Sequence, residues 1–206
     1  MTTARDLMLT ALDVAPGRPP EQGNLSLALA GAEVLDLLEA QAVTLDDERI
    51  LPGYHPTTDD PLLARAAASL LREPPYESVD DWLWRRGRSL SGTYLTTLEA
   101  EGLLSRERRR GIPFRGGHIV LADSPARRAA ARRRTSQEPV LTALTTALGL
   151  GLGGADPGAT ADSPSVDDNG VDTVLAAVHN ALMQLEGLRQ RRAIEQAAFD
   201  NIWRGD

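Results

Sequence analysis

The stretch "NLSLALAGAEVLDLLEA", Asn24 to Ala40, carries the clearest helical periodicity in this sequence of 206 residues. Its apolar residues, with one glycine among them, recur at intervals of three and four, which predicts one apolar stripe along a helix. The stripe consists of Leu27, Gly31, Val34, Leu35 and Leu38. Asn24 is a favourable capping residue, so the helix is predicted to begin there. A helix with an apolar face must bury it against other elements, and the sequence offers further helices on both sides.

Capping residues and prolines mark the ends of these other helices. A first helix is predicted to end near Pro16. Asp60 and Ser124 each precede a proline, which is the arrangement of an N-cap followed by the first helical residue. Ser78, with an aspartate three residues later, resembles a capping box. The helix that begins after Asp60 is predicted to stop at Pro74 and Pro75.

Two segments of the sequence are predicted to form strands, and the strands in both are short. "VTLDDERIL" alternates like a small hairpin around Asp46 and Asp47. The helix in "SGTYLTTLEAEGLL" is predicted to end at Gly102, after which Leu103–Arg106 can pair with His118–Leu121. The sequence therefore predicts a mainly α fold, a single globular helical domain with one or two small β-hairpins.

The C-terminal part predicts the domain boundaries. Residues 1–186 form the helical domain, with a mobile linker rich in Gly, Ala, Asp and Pro at about 151–170 inside it. A final amphipathic helix containing Val174 and Val178 is predicted to run on to Trp203. Residues 187–206 are predicted to be a C-terminal helical extension.

Composition excludes several classes of function. The chain has no cysteine, so disulfides, thiol chemistry and cysteine-ligated metals are excluded. No apolar run approaches the roughly 20 residues that span a bilayer, and the N-terminus lacks the unbroken apolar core of a signal peptide. The three histidines show no metal-ligand spacing, and no G-x-S-x-G motif is present. The sequence therefore predicts a cytoplasmic protein that is not an enzyme and needs no cofactor.

Positive charge is concentrated in the middle of the chain. Between Arg85 and Arg134 there are 13 arginines and four acidic residues, giving +9, whereas the rest of the chain carries −16. Such a segment predicts a basic face that attracts phosphates of nucleic acid or lipid. The alternative is a solvated helix surface combined with codon usage, because all 22 basic residues are arginine, a bias that indicates a GC-rich, bacterial genome.

An apolar tip lies inside this basic segment, in "RERRRGIPFRGGHIVL", Arg106 to Leu121. One hypothesis is a hairpin that contacts a membrane, with apolar side chains in the headgroup boundary and arginines on anionic lipid. Its contacting residues would be Arg108, Arg109, Arg110, Ile112, Pro113, Phe114 and Arg115. The alternative is that Ile112 and Phe114 pack on the body of the protein or on a neighbouring subunit, making residues 106–121 a homo-oligomer contact.

A winged-helix DNA-binding regulator is the alternative function. A helix, a strand, an arginine-rich turn and a returning strand follow one another as in a recognition helix and its wing. The helix before Gly102, however, offers hydroxyl groups, Glu99 and Glu101 but no arginine. Acidic groups repel phosphates, which argues against nucleic acid as the partner.

The order of several segments resembles the Golgi phosphoprotein 3 (GPP34) family over roughly residues 4 to 185, in a bacterial-type member. The segments are "DLMLTALD", "LALAGAEVLDLLEA", the acidic hairpin, "PTTDDPLLARA", "SVDDWL", "LEAEGLL", the arginine-rich hairpin and "VDTVLAAVHNALM". The resemblance implies a mainly helical domain that binds membranes through phosphatidylinositol 4-phosphate. Eukaryotic members are adaptors that hold glycosyltransferases in the Golgi; the sequence names no protein partner for this chain.

The resemblance also implies a lipid headgroup site. The family's pocket uses a tryptophan and an arginine around the second helix, and two further arginines ahead of the "EGLL" segment. These positions align with Glu21, Ala30, Arg88 and Ser91, of which only Arg88 keeps the family's residue. Arg85 and Arg86 lie close by in sequence and are predicted to bind the headgroup together with Arg88, since guanidinium groups match phosphate oxygens.

Overall fold

The computed structural model describes residues 2–15, 20–53, 58–107, 118–151 and 169–203, and in this part of the chain it contains eight helices and two antiparallel two-stranded sheets. The first four helices and the first hairpin are α1 Thr3–Val14, α2 Gln22–Glu39, β1 Val43–Asp46, β2 Arg49–Pro52, α3 Pro61–Ala68 and α4 Val79–Arg86. The remaining elements are α5 Leu90–Ala100, β3 Leu104–Glu107, β4 His118–Leu121, α6 Pro125–Thr135, α7 Pro139–Ala147 and α8 Asn169–Trp203. The predicted fold class, one mainly α domain with two small hairpins, is confirmed.

Helix α2 lies at the centre of the domain and contacts α1, α3, α4, α5 and α8. Thirteen consecutive residues, Leu25 to Leu37, are buried, so the expectation of a single apolar stripe was too narrow. Leucines point to all sides of α2, and small residues such as Ala28, Ala30 and Ala32 lie between them, which lets neighbouring helices pack closely from several directions. The predicted start was also wrong. Helix α2 begins at Gln22, and Asn24 lies inside it, where its side-chain oxygen accepts a hydrogen bond from Arg189 at 2.8 Å.

The contact between α2 and α8 depends on Gly31. A Cβ atom at this position would lie 2.2 Å from Cγ2 of Val178, far inside van der Waals contact. The absence of a side chain therefore lets the two helix backbones come close together. This contact joins the second helix of the chain to the last one.

Helix α1 is held at its start by a carboxylate of α2. Asp36 accepts hydrogen bonds from the backbone N–H groups of Thr3 at 2.7 Å and Ala4 at 3.0 Å. These N–H groups have no hydrogen-bond partner within the helix, so the buried carboxylate of Asp36 satisfies them. Its negative charge also interacts favourably with the positive end of the helix dipole. The contact fixes the entry of α1 against the centre of the domain.

The predicted caps are largely confirmed. Asp60 accepts from the N–H groups at the start of α3, Ser124 accepts from the N–H of Arg127, and Ser78 accepts from the N–H of Asp81. The end of α3 differs from the prediction, because the helix stops at Ala68, before Pro74. The Ser69 hydroxyl donates to the carbonyl of Ala66 at 2.8 Å and closes the last turn.

Both predicted hairpins are present. Leu45 pairs with Ile50 in the first, and Ser105 pairs with Val120 in the second. Gly102 has a φ of 72°, the left-handed conformation expected of a residue that ends a helix. The tip of the second hairpin, residues 108–117, and most of the predicted linker, residues 152–168, lie outside the described residues. Helix α8 continues through residue 187 without a break as far as Trp203.

Candidate functional site: the arginine-rich segment and the start of helix α2

Most arginines of the basic segment are engaged within the protein. Nine arginine side chains between residues 85 and 134 lie in the described part of the chain, and seven of them make ion pairs. Five of the seven pair with acids outside the segment, among them Glu33 and Asp13. Much of the positive charge counted along the sequence is therefore neutralised by acidic residues of the protein itself.

Arg86 neutralises a carboxylate in the core. Its Nε and Nη2 atoms donate to the two oxygens of Glu33 at 2.8 and 3.0 Å, and the hydroxyl of Tyr94 donates to the same carboxylate at 3.2 Å. The side chain of Glu33 is fully buried. Burial raises the pKa of Glu33, whereas the bonds from Arg86 and Tyr94 act in the opposite direction. The guanidinium is thus one half of a bidentate pair that joins α2, α4 and α5.

Arg85 has a comparable partner nearer the surface. It donates to both oxygens of Glu77 at 2.6 Å and lies over the ring of Trp82, 5.2 Å from its centroid. The hydrogen bond to Glu77 raises the pKa of Arg85. Its side chain remains 42% exposed, in contrast to the 18% of Arg86.

Arginines of α6 form ion pairs with acidic residues of α1. Arg127 donates to Asp13 at 2.6 and 3.0 Å, and Arg133 donates to Asp6 at 2.7 Å. Asp6 is fully buried, and burial raises its pKa against the lowering effect of Arg133. Arg132, on the same helix, is exposed and has no ion pair within the described residues.

Arg88 differs from Arg85 and Arg86. It lies in the turn between α4 and α5, it is exposed, and its side chain makes no ion pair or hydrogen bond within the described ranges. This turn lies beside the start of α2, because Ser91 donates to the carbonyl of Gln22 at 3.3 Å and shares a hydrogen bond with Ser26 at 2.9 Å.

Helix α8 brings another guanidinium to the start of α2. Arg189 pairs with Glu21 and donates to the side chain of Asn24. We call the surface formed by Glu21, Gln22, Arg88, Ser89 and Arg189 the α2–α5 corner. It combines the N-terminal ends of two helices, which suit an anion, with the guanidinium of Arg88 and the Arg189–Glu21 ion pair.

The sequence matches the family model described as Golgi phosphoprotein 3 (GPP34) over residues 4–198. The chain belongs to the GPP34 family. The match covers nearly the whole chain and confirms the predicted resemblance. Comparison with curated proteins yields no match.

The four positions that the sequence resemblance assigned to a headgroup pocket have different surroundings in this member. Glu21 and Arg88 are exposed at the corner. Ala30 is fully buried, and its carbonyl accepts a hydrogen bond from the indole N–H of Trp82 at 3.1 Å. Ser91 is also buried. Two of the four positions therefore support the fold, and the corner is where exposed groups from the other two remain.

Other sequence hypotheses fall on different parts of this GPP34 member. The hairpin residues Arg108, Arg109, Arg110, Ile112, Pro113, Phe114 and Arg115 lie outside the described residues. The exposed side of α5 consists of Gly92, Thr93, Thr96 and Ala100, so it presents no cationic group to a DNA groove. This arrangement gives no support to a winged-helix recognition helix.

A groove of about 1010 Å³ lies between the first hairpin, the start of α4 and helix α8. Its floor includes Leu38 and Val79, and its rim includes Asp47, Glu48 and Asp80. These carboxylates disfavour a phosphate ligand. The groove is therefore distinct in character from the α2–α5 corner.

Among the described residues of this GPP34 chain, no helix is long and apolar enough to cross a membrane. No group of three or more histidine, aspartate or glutamate side chains there could hold a metal ion.

Proposed function

We propose that this protein is a peripheral membrane protein that binds anionic phospholipid headgroups, with a phosphoinositide such as phosphatidylinositol 4-phosphate as the preferred class. The observation that carries the proposal is the GPP34 match over residues 4–198. Arg88 supports it, because an exposed guanidinium without a partner among the described residues is free to take a phosphate in its two-pronged donor geometry. An adaptor role toward a protein partner is the further step that the family suggests.

The three neighbouring arginines would have different roles at such a site. Arg88 would touch the headgroup directly. Arg86 would position the turn through its pair with Glu33, and Arg85, which is partly exposed, would add positive potential while remaining paired with Glu77. Arg189 would contribute from helix α8, where its pair with Glu21 holds it in place.

The tip of the second hairpin would supply the second contact with the membrane. Ile112 and Phe114 each contribute roughly 1.5 to 3 kcal/mol if fully withdrawn from water, and the flanking arginines about 1 kcal/mol each near an anionic surface. Terms of this size give reversible binding.

The test is cosedimentation with liposomes of graded anionic content, with and without phosphatidylinositol 4-phosphate. Arg88→Gln should weaken binding several-fold. Arg132→Gln is the matched control, because it removes the same charge from another exposed arginine of the basic segment that is unpaired within the described residues. It should change binding much less.

Equal losses in the two variants would show that only net charge matters and that the corner is not a headgroup site. A DNA mobility shift at the same salt concentration tests the alternative function. Binding to DNA without binding to any liposome would overturn the membrane proposal.

A further inference from the structure

The residues by which α8 packs on the core form a stripe, and this stripe continues along the helix past the end of the core. Residues at alternating intervals of three and four form this stripe, and the first part of it packs on α2 and its neighbours. The packed residues are Val171, Val174, Val178, Ala181 and Leu185. The same spacing continues through Leu188, Arg192, Glu195 and Phe199. Such a spacing is that of the contact positions in a helix pair.

This second part of the stripe is exposed. Leu188 is 44% exposed and Phe199 is 59% exposed, and all of residues 191–196 are exposed. The domain covers α8 as far as Arg189, which reaches Glu21 at the start of α2. From Leu188 onward this stripe of α8 presents two large exposed apolar side chains, Leu188 and Phe199, with Arg192 and Glu195 between them.

The order of these four residues is symmetric. Phe199 follows Glu195 by four residues, just as Arg192 follows Leu188 by four. When two such helices run antiparallel about a two-fold axis midway between Arg192 and Glu195, Arg192 of each copy faces Glu195 of the other. The same axis brings Leu188 opposite Phe199. Both the charges and the apolar side chains of this segment are thus complementary to themselves, as an interface between identical subunits requires.

We propose that the C-terminal part of α8 is a homodimer contact, in which residues 188–199 of two copies pair as antiparallel helices. Two Arg192–Glu195 pairs lie at the centre of the contact, and a layer of Leu188 and Phe199 lies on either side. This surface is separate from the 106–121 hairpin and from the α2–α5 corner.

Other occupants fit the stripe less well. A parallel pair would place Arg192 against Arg192 and Glu195 against Glu195, and like charges at facing positions are unfavourable. A membrane would have to accept Arg192 and Glu195 between the apolar residues, and anionic lipid repels the glutamate. An antiparallel second copy satisfies both charges.

The expected contact is small. It consists of a few turns of helix from each copy, below the roughly 1,200–2,000 Å² that stable protein interfaces bury in total. We therefore expect a monomer–dimer equilibrium that depends on protein concentration rather than a permanent dimer.

Charge variants test the pairing directly, by sedimentation equilibrium of the full chain at low salt. Arg192→Glu places glutamates at all four central positions, and Glu195→Arg places arginines there. Each variant alone should associate at least ten-fold more weakly than the wild type. A mixture of the two variants should form heterodimers, because every central position then faces its opposite charge, and the double variant should associate like the wild type.

An apolar pair of variants provides the matched control. Phe199→Ser should weaken association, whereas Ile194→Ser should not. Ile194 is 70% exposed on the same helix but lies about 140° around the axis from Phe199. Circular dichroism establishes that each variant is folded.

Three outcomes would overturn the proposal. The wild type could remain monomeric at the highest concentration that sedimentation allows. It could form a dimer that neither charge variant weakens, which would place the contact elsewhere, for example on the 106–121 hairpin. Phe199→Ser could reduce binding to anionic liposomes without changing association, which would make this segment a membrane contact.

Discussion

At the scale of single residues, Arg85, Arg86 and Arg88 show why neighbours in sequence need not share a role. The guanidinium of Arg86 stabilises a fully buried carboxylate, Arg85 pairs near the surface, and Arg88 has no ion pair among the described residues. The stability lost on removing each arginine therefore depends on whether its partner carboxylate is left buried without a positive charge.

Replacing Arg86 should therefore destabilise the protein more than replacing either neighbour. Arg86→Gln leaves Glu33 buried without its cation, and breaking such a pair costs about 3 to 5 kcal/mol. Arg85→Gln should cost less than Arg86→Gln, because Arg85 is 42% exposed and water can reach the buried Glu77 once the guanidinium is gone, and Arg88→Gln should cost the least. Urea denaturation measures the three values.

A second change at the same site shows whether this cost arises from the unpaired charge. Glu33→Gln combined with Arg86→Gln removes both charges and should recover part of the stability lost in Arg86→Gln. If the double variant is no more stable than Arg86→Gln, the loss has another origin.

Asp36 should make stability depend on pH in an unusual direction. Burial raises its pKa to about 6, against the lowering effect of the N–H groups of Ala4 and Thr3. Between about pH 4 and pH 6 the folded protein keeps a proton that the unfolded chain has released, so the free energy of unfolding falls as the pH rises through this range. The contribution of Asp36 is about 3 kcal/mol at most, since one pKa unit corresponds to about 1.4 kcal/mol.

Urea denaturation at several pH values checks this prediction. Asp36→Asn should reduce the fall in stability between pH 4 and pH 6. Some fall should remain, because burial also raises the pKa values of Glu33 and Asp6. Asp46→Asn, at an exposed position of the first hairpin, changes the net charge equally and should leave the slope as in the wild type. An unchanged slope in Asp36→Asn would contradict the prediction.

At the scale of secondary-structure elements, the second hairpin is predicted to carry two separable contributions to membrane binding. Ile112→Ser combined with Phe114→Ser should weaken liposome binding at every salt concentration, because salt does not screen the burial of apolar surface. Replacing Arg108, Arg109 and Arg110 by Gln should weaken it mainly at low salt, because exposed charges are screened beyond about 8 Å at physiological ionic strength.

Neither set of hairpin changes should alter the thermal unfolding temperature. If the double Ser variant keeps its liposome binding but loses thermal stability or dissociates from an oligomer, Ile112 and Phe114 are packing residues. The membrane role of the hairpin would then be wrong.

Local signals in the sequence predicted the secondary-structure elements well. The features that they missed depend on contacts between residues far apart in the sequence. Asp60, Ser124 and Gly102 cap helices through groups only a few residues away, so these caps could be predicted from the local sequence. The partner of Arg86 is 53 residues away, and nothing in the arginine run indicates that Glu33 takes its charge. Glu33 and Asp36 lie within an apolar helix, and that position was the available signal that they are buried.

The end of α3 shows the same limit within an element. Apolar spacing through Leu70 and Leu71 favoured a longer helix, yet Leu71 is 49% exposed and outside it. At the end of the helix the Ser69 hydroxyl bonds to the carbonyl of Ala66, and the sequence does not reveal this end, because a serine can either end a helix or lie inside one.

At the scale of the whole molecule, the predicted boundary at residue 187 falls inside one continuous helix. The chain shortened to residues 1–190 should keep its stability within about 0.5 kcal/mol, because the removed segment that the structure describes is exposed at residues 191–196. The chain shortened to residues 1–186 also loses the bonds of Arg189 to Glu21 and Asn24, and should be less stable by about 1 kcal/mol.

Thermal and urea denaturation of both shortened chains compare the two cut sites. Equal stability of the two would show that Arg189 contributes nothing to the fold. A large loss in the chain of residues 1–190 would show that the C-terminal extension belongs to the folded domain.

The close contact of Gly31 with Val178 also bears on how the protein is made. The ribosome completes α2 early, but the side of α2 that meets Val178 has no partner until 147 more residues have been added. At 5–20 residues per second this takes roughly 7–30 s. During that interval the side of α2 that later meets α8 remains uncovered, and a chaperone can bind it there. A ribosome stalled before Val174 should therefore carry a chain that proteases cleave within α2, whereas release of the full chain should protect it.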